Sequence, residues 1–155
     1  MKMKEALRES CVIADLKGGT KREVLLELVS SLKEAGLIGD VEEAVDVILE
    51  REKLGSTGIG EGIAIPHGKL RGIDKILCAF GRSKAGVDYE AVDSKPAHIF
   101  FLLLAPEDSA GLHIQMLSRI SRILRDQSFR KHLVEQSQNA NLYSEIVGQD
   151  EKFGG

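Results

Sequence analysis

His67 stands near the end of the stretch Gly55-Ser-Thr-Gly-Ile-Gly-Glu-Gly-Ile-Ala-Ile-Pro-His-Gly-Lys69. Five glycines, Gly55, Gly58, Gly60, Gly62 and Gly68, share this window with one proline. Its main chain can therefore take conformations closed to other residues and come close to a bound group. Pro66 fixes its own φ and biases Ile65 toward an extended form. Ile63-Ala64-Ile65 thus reads as a short buried strand that delivers His67 at its exit, followed by a glycine that leaves room around the ring. A neutral imidazole nitrogen is nucleophilic near physiological pH and suited to taking and giving up a group. Main-chain N–H groups in a glycine-rich loop favour an anion, which makes a phosphoryl group the natural cargo.

A second histidine has a position of its own. Leu112, Met116, Leu117, Ile120, Ile123 and Leu124 recur at helical spacing, which places His113 in the first turn of a helix. The positive end of that helix disfavours extra positive charge, so His113 is expected to stay neutral and to donate one hydrogen bond, in support of His67 rather than as a second nucleophile. The plain alternative is a histidine that fills space over a sheet. His98, inside an apolar strand, is expected to be a hydrogen-bonded core or edge residue, and His132 a solvated one. Arg51 and Lys53 fall in the last turn of another helix, where cations oppose the negative end of the dipole. Lys69 and Arg71 form either a recognition rim or solubilising charge. His67 and His113 lack a third ligand, so no metal is expected. A Gly-x-x-x-x-Gly-Lys-Ser/Thr loop and a kinase-like set are both missing from the sequence, so a nucleotide is not the expected direct donor, and no cofactor is implied.

The run Arg51-Glu52-Lys53-Leu54-Gly55-Ser56-Thr57-Gly58-Ile59-Gly60-Glu61-Gly62-Ile63-Ala64-Ile65-Pro66-His67-Gly68-Lys69-Leu70 resembles the phosphohistidine signature of phosphotransferase system (PTS) EIIA domains of the fructose/mannitol family, and most closely that of the nitrogen-regulatory EIIA proteins. Leu112-His113-Ile114-Gln115-Met116-Leu117 resembles the family's second histidine segment. The resemblance implies that His67 is the phosphorylated nucleophile, His113 a supporting group and Arg51 a contact to the phosphoryl oxygens. Glu61 occupies a position where the family has an acid or an amide, so its carboxylate is expected to orient the imidazole tautomer; the nitrogen-regulatory members tend to carry asparagine there. The implied donor is a histidine-containing phosphocarrier protein (HPr/NPr-like). The implied acceptor is a sugar-specific EIIB domain, or else regulatory target proteins that sense the phosphorylation state. A non-catalytic binding module of the same fold is the alternative from a different class.

Several elements must position these groups. Thr20 and Glu23 form a capping box ahead of Val24, Leu25, Leu28, Val29 and Leu32, with Gly36 as the stop. Asp40 and Glu43 repeat the pattern ahead of Val41, Ala44, Val45, Ile48 and Leu49. Cys11-Val12-Ile13 is a short apolar piece, residues 75–83 read as a strand, and residues 85–89 and 93–96 as turn-rich connections. Ala97–Ala105 reads as a central strand covered on both faces. Phe129, Leu133, Leu142, Tyr143, Ile146 and Val147 suggest two short terminal helices. The expected fold is a single α/β domain over residues 1–148, with a mixed β-sheet flanked by helices on both sides and a frayed tail over 149–155.

With 155 residues, 43% apolar and 29% charged, the chain suits one buried core. A net charge of -3 gives no basic field for nucleic acid or an anionic membrane. Cys11 and Cys78 fit no zinc or C-x-x-C spacing, and read as reduced thiols of a cytoplasmic protein. The N-terminus has no apolar h-region and no later run approaches membrane-spanning length, so neither export nor membrane insertion is expected.

Overall fold

Ala97–Ala105 is the axis of the molecule: every residue of this strand except His98 is buried. In the computed structural model, which describes residues 1–137 and 141–153, the strand lies inside a six-stranded mixed sheet. In chain order the elements are α1 (Met3–Ala6), β1 (Leu7–Ile13), α2 (Lys21–Glu34), α3 (Val41–Glu52), β2 (Gly58–Gly60), β3 (Ile63–Ala64), β4 (His67–Lys69), β5 (Leu77–Val87), β6 (Ala97–Ala105), α4 (Ala110–Leu124), α5 (Gln127–Glu135) and α6 (Leu142–Glu151). The sheet order is β1-β5-β6-β3-β2, with β4 also on β6. β5 runs antiparallel to β6, while β3 and β4 run parallel to it. Helices α2 and α3 pack together on one face, and α4, α5 and α6 on the other. This is the α/β sandwich that the sequence implies.

The two helices ahead of the glycine window form where their caps are. Thr20 and Glu23 make the full reciprocal box: Glu23 N–H donates to Thr20 Oγ1 at 3.2 Å and Thr20 N–H to Glu23 Oε1 at 3.2 Å. At α3 only half of the pattern forms. Asp40 caps Glu43 N–H at 3.1 Å, but the Glu43 carboxylate turns outward to take Arg71 Nε at 2.9 Å.

Three expectations change. The strand leading to His67 does not run through 65: β3 stops at Ala64, Ile65 and Pro66 bridge, and β4 begins at His67, opposite Leu103 of β6. Pro66 has no N–H for the ladder, which splits the segment in two. β5 does not end at Ser83 but continues to Val87, with a register shift after Arg82. Gly86 takes φ +88 there and donates its N–H to Ser83 Oγ at 3.1 Å, so residues expected to form a turn make a bulge inside the strand. Finally, the chain does not fray after Gly148. Helix α6 continues to Glu151, and Asp150, 1% exposed, accepts Met3 N–H at 2.8 Å and pairs with Arg119 of α4. The expectation for Gly154 and Gly155 lies outside the described residues.

Candidate active site

The site is assembled from three segments that β6 and its neighbours bring together. β4 carries His67, the start of α4 carries His113, and the end of α3 with the loop after it carries Arg51 and the glycine window. Gly68 explains how α3 can lie so close to β4. A Cβ added there would meet Val47 Cγ1 at 2.7 Å, so the room that this glycine leaves on its own face of β4 is taken up by α3.

The His67 ring is held by the main chain. Nδ1 lies 2.8 Å from the carbonyl oxygen of Ile65, which can only accept, so Nδ1 carries the proton and Nε2 keeps its lone pair. Burial lowers the His67 pKa below its usual value; the Ile65 bond opposes this, the Arg51 charge adds to it, and the Glu52 charge opposes it. The ring of His113 stands edge-on to His67, with centroids 5.4 Å apart and planes at 79°. His113 is 9% exposed and its Nε2 is buried without a hydrogen-bond partner. Burial first, then the proximity of His67 and Lys69, lowers its pKa too. Both rings are therefore neutral at pH 7, and two nitrogens without hydrogens committed to protein acceptors sit within one small volume.

The other expected groups divide. Arg51 is at hand: Nη1 donates to Gly55 O at 2.9 Å, and its charge is felt at His67. Glu61 does not orient the imidazole. Its carboxylate pairs with Arg130 Nη2 at 3.1 Å on α5, its N–H donates to Asp93 at 3.1 Å, and its side chain is 74% exposed. The tautomer-holding position at Nδ1 is occupied instead by the Ile65 carbonyl. His98 is half-buried, with Nδ1 2.8 Å from Ser83 O, and His132 pairs at the surface with Glu145 at 3.0 Å. Arg71 is tied to Glu43, and Lys69 is exposed. Cys11 and Cys78 are buried and free, and burial pushes the Cys78 thiol far up. Among the described residues no group of three or more His, Cys, Asp or Glu is placed to hold a metal ion, and no helix is long and apolar enough to cross a membrane.

At the start of α4, Ser109 does not cap the helix with its side chain. Its hydroxyl donates to Pro106 O at 2.6 Å, which leaves the first-turn N–H groups of α4 uncapped by Ser109. A cluster that no sequence motif marks lies next to Arg51: Glu52, Thr57, Tyr89 and Lys21 form a largely buried network. A signal for it existed in the sequence, because Glu52 falls four residues after Ile48 on the buried stripe of α3, where a carboxylate needs partners.

Residues 5–148 match the family described as phosphoenolpyruvate-dependent sugar phosphotransferase system, EIIA 2. The chain belongs to that family. This EIIA chain is 41% identical over 148 residues to a nitrogen regulatory protein of Bradyrhizobium diazoefficiens, covering 95% of each. It is 40% identical over 152 residues to the fructose-specific EIIABC component of Bacillus subtilis; there it covers 98% of its own length but only 24% of that protein. Among solved structures, nitrogen regulatory protein IIA-Ntr from Neisseria meningitidis superposes with a TM-score of 0.83 at 32% identity, over 92% of this EIIA chain and 96% of the other. The mannitol IIA of Escherichia coli shares the fold, with a TM-score of 0.75 at 24% identity over 90% and 97% of the two chains. The EIIA fold places the paired histidines at the C-terminal half of the central strand, where β4 runs beside β6.

Proposed function

We propose that this EIIA domain carries a phosphoryl group on Nε2 of His67, accepted from a histidine-containing phosphocarrier protein. The observation that supports this best is the bond from His67 Nδ1 to Ile65 O, which leaves the other nitrogen as the nucleophile. In the transfer the donor's N–P bond breaks as a bond from His67 Nε2 to phosphorus forms. The donor imidazole leaves with its electron pair, and the proton on His67 Nδ1 stays where it is. His113 Nε2, buried without a partner and beside the ring, donates to a phosphoryl oxygen once the group arrives, which requires the Nε2–H tautomer of His113. Arg51 releases Gly55 O or shares its fork to reach a second oxygen, and the first-turn N–H groups of α4 face the charge.

The partner surface in this reading is apolar. Leu54 and Ile59 of the glycine loop, Val92, which donates its N–H to Gly58 O, and Leu112 and Ile114 on either side of His113 are all substantially exposed. Exposed apolar side chains on the segments that carry the site suit docking of another protein. The domain works in the cytoplasm, as a nitrogen-branch regulator whose phosphorylation state is sensed by target proteins. Similarity to nitrogen regulatory proteins over nearly the whole of both chains favours this branch.

A second reading has its own support. The B. subtilis relative joins this kind of domain to EIIB and EIIC segments, and the mannitol IIA of E. coli has been solved in complex with phosphorylated IIB. In that reading His67 passes its phosphoryl group on to an EIIB domain for fructose or mannitol. The carrier claim common to both is tested by incubation with phosphoenolpyruvate, enzyme I and a histidine phosphocarrier, followed by intact-mass measurement. One acid-labile, alkali-stable phosphate is expected, absent in His67→Ala. A chain that takes up no phosphate would be a binding module without turnover.

A further inference from the structure

Glu52 ends α3 with its side chain 5% exposed. Its carboxylate accepts Thr57 N–H at 3.2 and 3.3 Å on its two oxygens, takes a short bond from Thr57 Oγ1, accepts Tyr89 OH at 3.3 Å, and pairs with Lys21 Nζ at 3.2 Å. Lys21 is fixed in turn, 3.6 Å from Glu90 and 4.7 Å above the Tyr89 ring. A carboxylate removed from water costs several kcal/mol unless it is fully partnered. This one is, and two of its partners fix the residue that precedes β2: Thr57 itself, and Tyr89, whose hydroxyl lies 3.2 Å from Thr57 Oγ1.

From Thr57 the contacts continue toward the histidine. The Thr57 carbonyl accepts Ile65 N–H at 2.9 Å, and the Ile65 carbonyl accepts the His67 Nδ1 proton at 2.8 Å. Three successive bonds therefore join a fixed charge to the imidazole. Pro66, with its fixed φ, stiffens the peptide between the last two residues, so the direction of the Ile65 carbonyl governs the ring. We infer that Glu52 is the positioning residue that sets the orientation and tautomer of His67, acting through the backbones of Thr57 and Ile65.

The chemistry of the site explains why this residue is a carboxylate. Four donors converge on it, the Thr57 N–H, the Thr57 hydroxyl, the Tyr89 hydroxyl and the Lys21 ammonium. A carboxylate accepts at every lone pair, whereas an amide would turn an NH2 group toward donors. The helix end thus presents two neighbours with distinct tasks, Arg51 toward the incoming charge and Glu52 toward the loop that holds the nucleophile. The role given by sequence to Glu61 passes to a residue nine positions earlier.

The inference rests on His67 being the phosphoryl acceptor, and long-range 1H–15N spectra of the unphosphorylated full chain, combined with phosphorylation rates, test the two separately. The unaltered protein should show His67 as the Nδ1–H tautomer. In Glu52→Gln the Nε2–H form should appear and the rate of phosphoryl uptake should fall about tenfold, since a small misplacement of a reacting atom is costly. Lys21→Met removes a partner of Glu52 that makes no bond to Thr57; it should lower the melting temperature yet leave tautomer and rate within about twofold. Thr57→Val, nearly isosteric, should shift the tautomer in the same direction by less, and decides the matter should Glu52→Gln fail to fold. An unmoved tautomer and an unchanged rate in folded Glu52→Gln or Thr57→Val overturn the positioning role. Because the tautomer is measured with no donor present, failure of the unaltered chain to accept phosphate contradicts the carrier reading alone.

Discussion

His67 and His113 meet edge to plane at 5.4 Å, one with its Nδ1 bonded to a backbone carbonyl, the other with a buried Nε2 that has no partner. A buried polar nitrogen without a partner costs about 1–3 kcal/mol. The fold keeps it in place because α4 is anchored elsewhere, through Met116, Ile120, Ile123 and Leu124 in the core and Arg119 on Asp150.

Removing that nitrogen should affect transfer far more than folding. His113→Ala is expected to slow phosphorylation about 10²-fold, the typical loss for one donor aimed at developing charge. His67→Ala should abolish labelling entirely. Quench-flow or timed intact-mass measurements check both. Equal rates for His113→Ala and the unaltered protein would leave His113 as a space-filling residue.

Burial depresses the pKa of both histidines below 6.5, so the folded state binds fewer protons than the unfolded chain as the pH drops. Their contribution to stability is complete above about pH 6.5 and is lost as the pH falls from there through the folded values. NMR titration midpoints for both rings below 6.5 are expected. The urea midpoint should fall more between pH 7 and 5.5 for the unaltered chain than for His67→Gln/His113→Gln. A His67 midpoint above 6.5 would mean that the Ile65 bond and Glu52 outweigh burial and Arg51.

Glu61 takes φ +56, a region uncomfortable for residues other than glycine or asparagine, and its ion pair with Arg130 is exposed on the Glu61 side. Glu61→Gly relieves the backbone and loses a weak pair, so stability should change by no more than about 1 kcal/mol. Phosphorylation should be unchanged, because Ile65 and not Glu61 holds the ring. A large loss of rate would restore the orienting role to Glu61.

Gly68→Ala places a methyl group 2.7 Å from Val47 Cγ1 and should destabilise the fold by about 1–3 kcal/mol, the usual penalty for overpacking. Val47→Ala in the same chain should restore much of it. Chemical denaturation of the single and double variants measures the coupling, and simple additivity would argue against this contact.

Truncation after Gly148 removes Asp150, which pairs with Arg119 and holds Met3 N–H. Loss of one partner of a buried pair costs about 3–5 kcal/mol, so the truncated chain and Asp150→Ala should both unfold well below the full chain in urea. Unchanged midpoints would make residues 149–151 the dispensable tail that their composition suggests.

That last contrast shows what local sequence can and cannot convey. Thr20 with Glu23, the apolar run of β6 and the stripe of α4 are legible because each is a local pattern with a fixed period or offset. The glycine window with His67 and the segment around His113 are legible as chemistry for the same reason. Asp150 and Arg82 are not, since each is a polar residue whose partners come from distant segments. Arg82 is 1% exposed and donates to the carbonyls of Ala14, Leu133 and Gln136, contacts that no spacing rule anticipates. Glu61 differs for another reason: the expectation that it orients the imidazole comes from the family position it occupies, while its αL backbone and Arg130 turn the carboxylate toward α5.

The most direct test of His67 as carrier is the 15N spectrum of the imidazoles before and after phosphorylation by a histidine phosphocarrier. The expected result is a single bond to phosphorus at Nε2 of His67, with Nδ1 still protonated and His113 bearing its proton on Nε2. Phosphorus on Nδ1 of His67, on His113, or on neither ring would contradict the chemistry derived from the Ile65 bond.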